Sequence, residues 1–349
     1  MAYSTISKPE SHFNTKLFTG TNGSGQAITG VGFQPDMIWI KHRTDVSDHV
    51  LTDAVRGVTK YVRPNAQDAE TTNAQAITAF GADGFTHGTL ADIDSTGNVC
   101  SWNWKAGTTS GLSGGTITPS SYSINTTSGF GIYKYTGTGS AGSIAHGLGS
   151  TPKMMIVKCT SHSDTWAVYH ANVGATKYME LDTTAAQQTS SVPWNDTAPT
   201  DSLFTVGTWS ATNGSSKTYV AYCFVEKKGY SKFGQYTGNG NDDGTFIYLG
   251  FKPAWFMIKS NSNAEAWEIG DNKRDTENVV NNILIADSTG AETAGTSSNR
   301  LHCDFLSNGV KLRGNASQAN QNGSTYIYMA FAEEPLVANV GSSIPATAR

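Results

Sequence analysis

The chain has 349 residues, of which 15% are charged and 37 are Gly, with a net charge of −4 and a sequence pI near 6.0. No basic cluster exceeds a pair such as Lys227-Lys228, which argues against nucleic acid as a partner, because a phosphate backbone calls for a concentrated basic face. No stretch approaches about eighteen consecutive apolar residues, and residues 1–16 carry polar and charged side chains throughout, so neither a membrane span nor a secretory signal is expected.

Residues 1–16 read as a polar N-terminal arm. A first unit follows over 17–106, opening on a strand that ends at Phe18-Thr19-Gly20. A Gly-x-x-Pro turn at Gly32 and Pro35 suits a backbone needing positive φ before a proline-fixed strand start. It leads into Met37-Ile38-Trp39-Ile40, closed by Lys41, and the unit ends on the run Cys100-Ser101-Trp102-Asn103-Trp104. Residues 107–116, Gly/Ser/Thr-rich, read as a flexible linker. The pattern then returns over 117–228: Tyr135-Thr136-Gly137, Gly149 and Pro152, Met154-Met155-Ile156-Val157 with Lys158, and the closing run Tyr219 to Phe224. A third copy over 229–335 carries Tyr236-Thr237-Gly238, Gly250 and Pro253, Trp255-Phe256-Met257-Ile258 with Lys259, and Tyr326 to Phe331. Residues 336–349 form a polar tail. Gly20 to Gly137 is 117 residues and Gly137 to Gly238 is 101, periods too long for a solenoid repeat and suited to small domains.

Each unit alternates short Val/Ile/Tyr/Phe/Trp-rich runs with Gly/Asn/Ser/Thr clusters, and helical periodicity is nearly absent. The expected class is all-β, as three tandem jelly-roll or lectin-like β-sandwich repeats with a short N-terminal arm. Strands apolar at every position, rather than alternating, belong between two covered faces, as in sheet-on-sheet packing.

Residues with chemistry are scattered. Cys100, Cys159, Cys223 and Cys303 form no CxxC and read as buried free thiols. The recurrent lysines read as structural: strand-end side chains that cover apolar surface and blunt a sheet edge. Asn241-Asp242-Asp243-Gly244 resembles part of a calcium loop, but the twelfth position is Lys252 where an EF-hand needs Glu. His162-Ser163-Asp164 has no G-x-S-x-G elbow to make it a hydrolase triad. The reading is therefore non-enzymatic, without cofactor or metal. Aromatics among short polar residues could instead stack on sugar rings, and Trp166, Tyr169, Trp194 and Trp267 are the candidate ligand-binding residues. Trp194, in the polar segment Val192-Pro193-Trp194-Asn195-Asp196, is the one most expected to be exposed.

The strings Phe18-Thr-Gly, Tyr135-Thr-Gly and Tyr236-Thr-Gly-Asn-Gly, the segments Gly30-Val-Gly-Phe-Gln-Pro-Asp-Met-Ile-Trp-Ile-Lys41 and His146-Gly-Leu-Gly-Ser-Thr-Pro152, and the ending Pro345-Ala-Thr-Ala-Arg349 carry a resemblance over essentially the whole chain. It resembles repeat-bearing structural virion proteins of tailed, often marine, bacteriophages. That resemblance implies a tail-fibre-like protein of the virus particle, assembled in the bacterial host cytoplasm. Its implied partners are other virion proteins and a host cell-surface glycan or receptor, with a homotrimer as the expected assembly. No site residue carries over from it. A capsid or tail decoration or adaptor protein is the second reading, and a polysaccharide depolymerase the third.

Overall fold

The computed structural model describes residues 4–337. They are almost wholly β, with helix confined to the short turns Pro9–Ser11, Ala91–Asp94 and Ser210–Asn213. Three large antiparallel sheets carry one strand order. In unit 1 it runs Phe13–Gly20, Gly97–Trp104, Met37–His42, Val50–Asp53. In unit 2 the same four places are filled by Phe130–Thr136, Thr218–Phe224, Met154–Cys159 and Ala167–His170, and in unit 3 by Ser231–Thr237, Thr325–Pro335, Phe251–Ser260 and Glu268–Asp271. Each unit adds a small sheet built on Gln26–Thr29, Gly142–Ala145 or Phe246–Tyr248. The triplication read from Thr-Gly, Gly-x-x-Pro and Lys thus appears as three copies of one strand arrangement.

The uninterrupted apolar strands are explained by which core each side chain enters. Ile38 and Ile40 pack with unit 1's small sheet, Met155 and Val157 with unit 2's, and Phe256 and Ile258 with unit 3's. The alternate residues Met37, Trp39, Met154, Ile156, Trp255 and Met257 all enter one further core that draws on all three units. Strand side chains alternate faces, so each large sheet lies between its own small sheet and the other two units. The repeats are therefore not beads on a string; their largest core is the one they share. Residues 107–116 are also tied down rather than free: Thr108 pairs with Ile124, Gly115 bridges Ile144, and Leu112 packs against unit 2's core.

The units meet through a closed ring of matching contacts. The Lys41 ammonium donates to Thr289 O of unit 3 at 3.2 Å, Lys158 to Gln67 O of unit 1 at 2.8 Å, and Lys259 to Thr184 O of unit 2 at 2.8 Å. Eight residues beyond each lysine, a ring N–H reaches the carbonyl four residues earlier on the same neighbour. His49 Nε2 meets Ile285 O at 2.9 Å, Trp166 Nε1 meets Arg63 O at 2.9 Å, and Trp267 Nε1 meets Glu180 O at 2.8 Å. Because Trp39 Nε1 donates to His49 Nδ1 at 2.8 Å, the His49 proton belongs on Nε2, and burial holds its pKa down to about 3. Three equivalent contacts running 1 to 3, 3 to 2 and 2 to 1 describe a pseudo-threefold ring within one chain.

These lysines are buried rather than placed at a sheet edge, since each is 0% exposed. Burial lowers the pKa of all three from 10.5 to about 8. The unfolded chain then binds more protons than the folded one between about pH 8 and 10.5, so their linkage contribution is unfavourable below pH 8 and is relieved as pH rises through that window. Comparing wild type with Lys158→Met by chemical denaturation is expected to show the difference shifting in favour of wild type from pH 7.5 to 10. A difference independent of pH would mean the ammonium is not desolvated.

Candidate functional site

All four rings proposed from sequence are buried: Trp166 0%, Tyr169 4%, Trp194 0% and Trp267 1% exposed. Trp166 and Trp267 belong to the shared core and the unit ring, where their N–H groups are used. Trp194 turns out of its polar loop into unit 2's core and meets Tyr169 edge-on at 6.0 Å. The loop's polarity belongs to Asn195 and Asp196, which take left-handed backbone conformations with φ of 52° and 49°. None of these rings can stack on an external sugar.

The Thr-Gly loops rest on one buried side chain each. Asp94 accepts from Thr21 N at 2.9 Å and Gly23 N at 2.8 Å, Asn213 from Thr138 N at 2.8 Å, and Asn320 from Asn239 N at 3.0 Å. Among the described residues, no group of three or more His, Cys, Asp or Glu is placed to hold a metal ion. All four cysteines are buried and free, and burial raises the Cys100 thiol pKa to about 12.

In a triplicated chain, features present in every unit are those the shared arrangement demands. Two surface grooves lie at equivalent places in units 1 and 3. One, of about 510 Å³, lies beside Asp36, Ala54 and Val55. The other, of about 360 Å³, lies beside the counterparts of those residues, Ala254, Asn272 and Lys273. Both follow from the seam between neighbouring units.

One feature belongs to a single unit. The central strand residue of each small sheet is a buried Ile, at Ile28, Ile144 or Ile247, pairing with Phe85, Phe204 or Val310. Its flanking residues are Ala27 and Thr29 in unit 1, both exposed, and Ser143 and Ala145 in unit 2, half-buried and buried beneath residues 112–116. In unit 3 they are Phe246 and Tyr248, exposed to 44% and 50%. They are the only exposed large aromatic side chains among the described residues. The strand carrying them lies at the outer edge of its three-stranded sheet.

The surroundings of the pair are ordered. Opposite Phe246 stands Lys311, whose ammonium reaches Asp243 Oδ1 at 2.8 Å and Gly244 O at 2.5 Å. Arg313 Nε donates to Asp304 Oδ2 at 2.6 Å, and its Nη1 lies 3.7 Å from Asp243 Oδ1. Opposite Tyr248 stands Gly309, where a Cβ would sit 2.2 Å from Ile247 O, so that place carries no side chain. Lys232 donates to Tyr248 O at 2.7 Å with its ammonium 5.2 Å from the ring centroid, a cation–π contact that restrains the ring. Asp243 is 80% exposed at its side chain, and the Lys311 hydrogen bond and charge hold its pKa below the usual range.

A family model described as a domain of unknown function (DUF7483) matches residues 8–335. The chain belongs to that family. The match runs from the N-terminal arm to the last strand of unit 3 and so covers all three units and their common core. No curated protein and no solved structure matches the chain.

Phe246 and Tyr248 were legible in principle. Aligning the three short strands on their Ile places aromatics beside it in unit 3 alone. An Ile flanked by two aromatics otherwise reads as ordinary strand sequence, which is why the tryptophans draw attention first.

Proposed function

We propose that the protein is a non-enzymatic structural protein of a tailed-bacteriophage particle, a tail fibre or tail-associated protein that contributes to host-surface attachment. The virion assignment, assembly in host cytoplasm and the lectin-like jelly-roll character of the units rest on the family resemblance of the sequence strings quoted above. The observation that carries the attachment role is the exposed Phe246–Tyr248 pair on one unit of an otherwise inward-packed ring. A closed ring with a common core would present such a face rigidly, and a homotrimer would multiply it.

The decoration or adaptor reading has its own support: Trp166, Tyr169, Trp194 and Trp267 are all used internally, as in a body that contacts only viral proteins. One experiment separates the two. Purified protein is expected to bind host cells saturably, and Phe246→Ala with Tyr248→Ala to abolish that binding without moving the thermal midpoint, because neither side chain is buried. Absence of host-cell binding by the intact assembled protein, with the protein present in purified virions, selects the decoration or adaptor role. Absence from virions overturns both.

A further inference from the structure

We infer that the outer face of unit 3's small sheet binds a neutral pyranose glycan, with Phe246 and Tyr248 as the stacking surface and Asp243, Lys311 and Arg313 as the hydroxyl contacts. The inference rests on the attachment reading only for its biological setting; its chemistry comes from this face.

Residues two apart on a strand project to the same side, about 6.8 Å from each other, so the two rings form one extended aromatic strip rather than isolated patches. The C–H face of a pyranose is apolar and covers such a strip, removing both partners' surfaces from water. Sugar hydroxyls along the ring edge need donors and acceptors held in place, since each group that binding leaves unpaired costs affinity. The cluster beside Phe246 supplies both kinds: the Asp243 carboxylate accepts, and the Lys311 ammonium and Arg313 guanidinium donate. These groups restrain one another through the contacts at 2.8 Å and 3.7 Å described above, so little side-chain entropy is lost on binding.

Charge decides between neutral and acidic sugars. The face holds three cations, Lys232, Lys311 and Arg313, and two anions, Asp243 and Asp304. Lys311 and Arg313 already have carboxylate partners. A uronate or phosphate would have to displace those carboxylates, whereas a hydroxyl can share them. An excess of one cation is also too little for a nucleic-acid strand stacking on the rings, which would need a run of positive charge along its backbone.

The test is saturation-transfer NMR on the full chain with a defined panel: laminarihexaose, cellohexaose, mannohexaose and maltohexaose as neutral probes, an alginate hexamer as the acidic probe, and a thymidine hexamer as the stacking control. At least one neutral probe is expected to show transfer, with affinity about tenfold weaker in either Phe246→Ala or Tyr248→Ala and transfer lost in the double variant. Asp243→Asn is expected to weaken the same probe while leaving the fold unchanged. The inference is overturned if no neutral probe shows transfer, if transfer survives the double variant, or if alginate or the thymidine hexamer binds better than every neutral sugar. Host-cell binding measured on the same variants keeps the two readings apart. Cell binding lost in the double variant without any sugar transfer leaves attachment standing and removes the glycan. Sugar transfer without any cell binding does the reverse.

Discussion

Unit 2 produced by itself, as residues 107–228, is expected not to fold as a stable monomer. Phe130, Ile132, Met154, Ile156, Trp166, Val168, Met179, Leu181, Val220, Tyr222 and Phe224 would lose the cover that units 1 and 3 provide. Re-exposing a buried large apolar side chain costs about 1.5–3 kcal/mol, so losing the cover of about ten of them exceeds the roughly 5–15 kcal/mol by which domains are stable. The expected behaviour is aggregation, strong binding of a hydrophobic dye, or self-association into rings in which further copies stand in for units 1 and 3. Size-exclusion chromatography with light scattering and a thermal melt distinguishes these from the refuting case, a dye-silent monomer with a sharp transition.

Replacing Arg274 by Met is expected to destabilise the protein by about 3–5 kcal/mol, the cost of stranding a buried charge. Arg274 and Asp271 are both 0% exposed at their side chains and 2.6 Å apart. Asp271 also accepts from Trp102 Nε1 of unit 1 at 3.0 Å, so the loss reaches across the unit seam. Burial works to raise the Asp271 pKa, and the Arg274 guanidinium outweighs it and holds it below the usual carboxylate range. Unit 1 repeats the arrangement with Asp53 and Arg56, where Tyr222 of unit 2 donates to Asp53 at 2.7 Å. Unit 2 has His170 and Val173 at those positions, so the ring does not need an ion pair at every seam. The double variant Asp271→His with Arg274→Val, which copies unit 2, is therefore expected to recover a substantial part of the loss. Urea denaturation of wild type, Asp271→His, Arg274→Val and the double variant measures this as a coupling energy. A single variant within about 1 kcal/mol of wild type would show that the carboxylate is not stranded.

Lys41, Lys158 and Lys259 recur because each joins its unit to a neighbour, and His49 serves unit 1 where Trp166 and Trp267 serve units 2 and 3. The exposed aromatics are what the ring does not require.

Strand periodicity, Gly at turns and Pro at strand starts are local properties of a few neighbouring residues, and they carried the threefold recurrence, the all-β class and the strands that open and close each unit, but not the middle strands Val50–Asp53, Ala167–His170 and Glu268–Asp271. The sequence by itself also showed that strands such as Trp255-Phe256-Met257-Ile258 have both faces covered. What covers the second face was decided only by tertiary structure, since an apolar side chain is stabilised equally by a sheet of its own unit or by a neighbouring unit. The same holds for the rings. A Trp in a polar loop can turn inward, as Trp194 does, and the residues flanking a buried strand Ile are exposed at Phe246 and Tyr248 but buried at Ala145. Which side of a strand meets water depends on contacts far apart in sequence, and no local pattern records them.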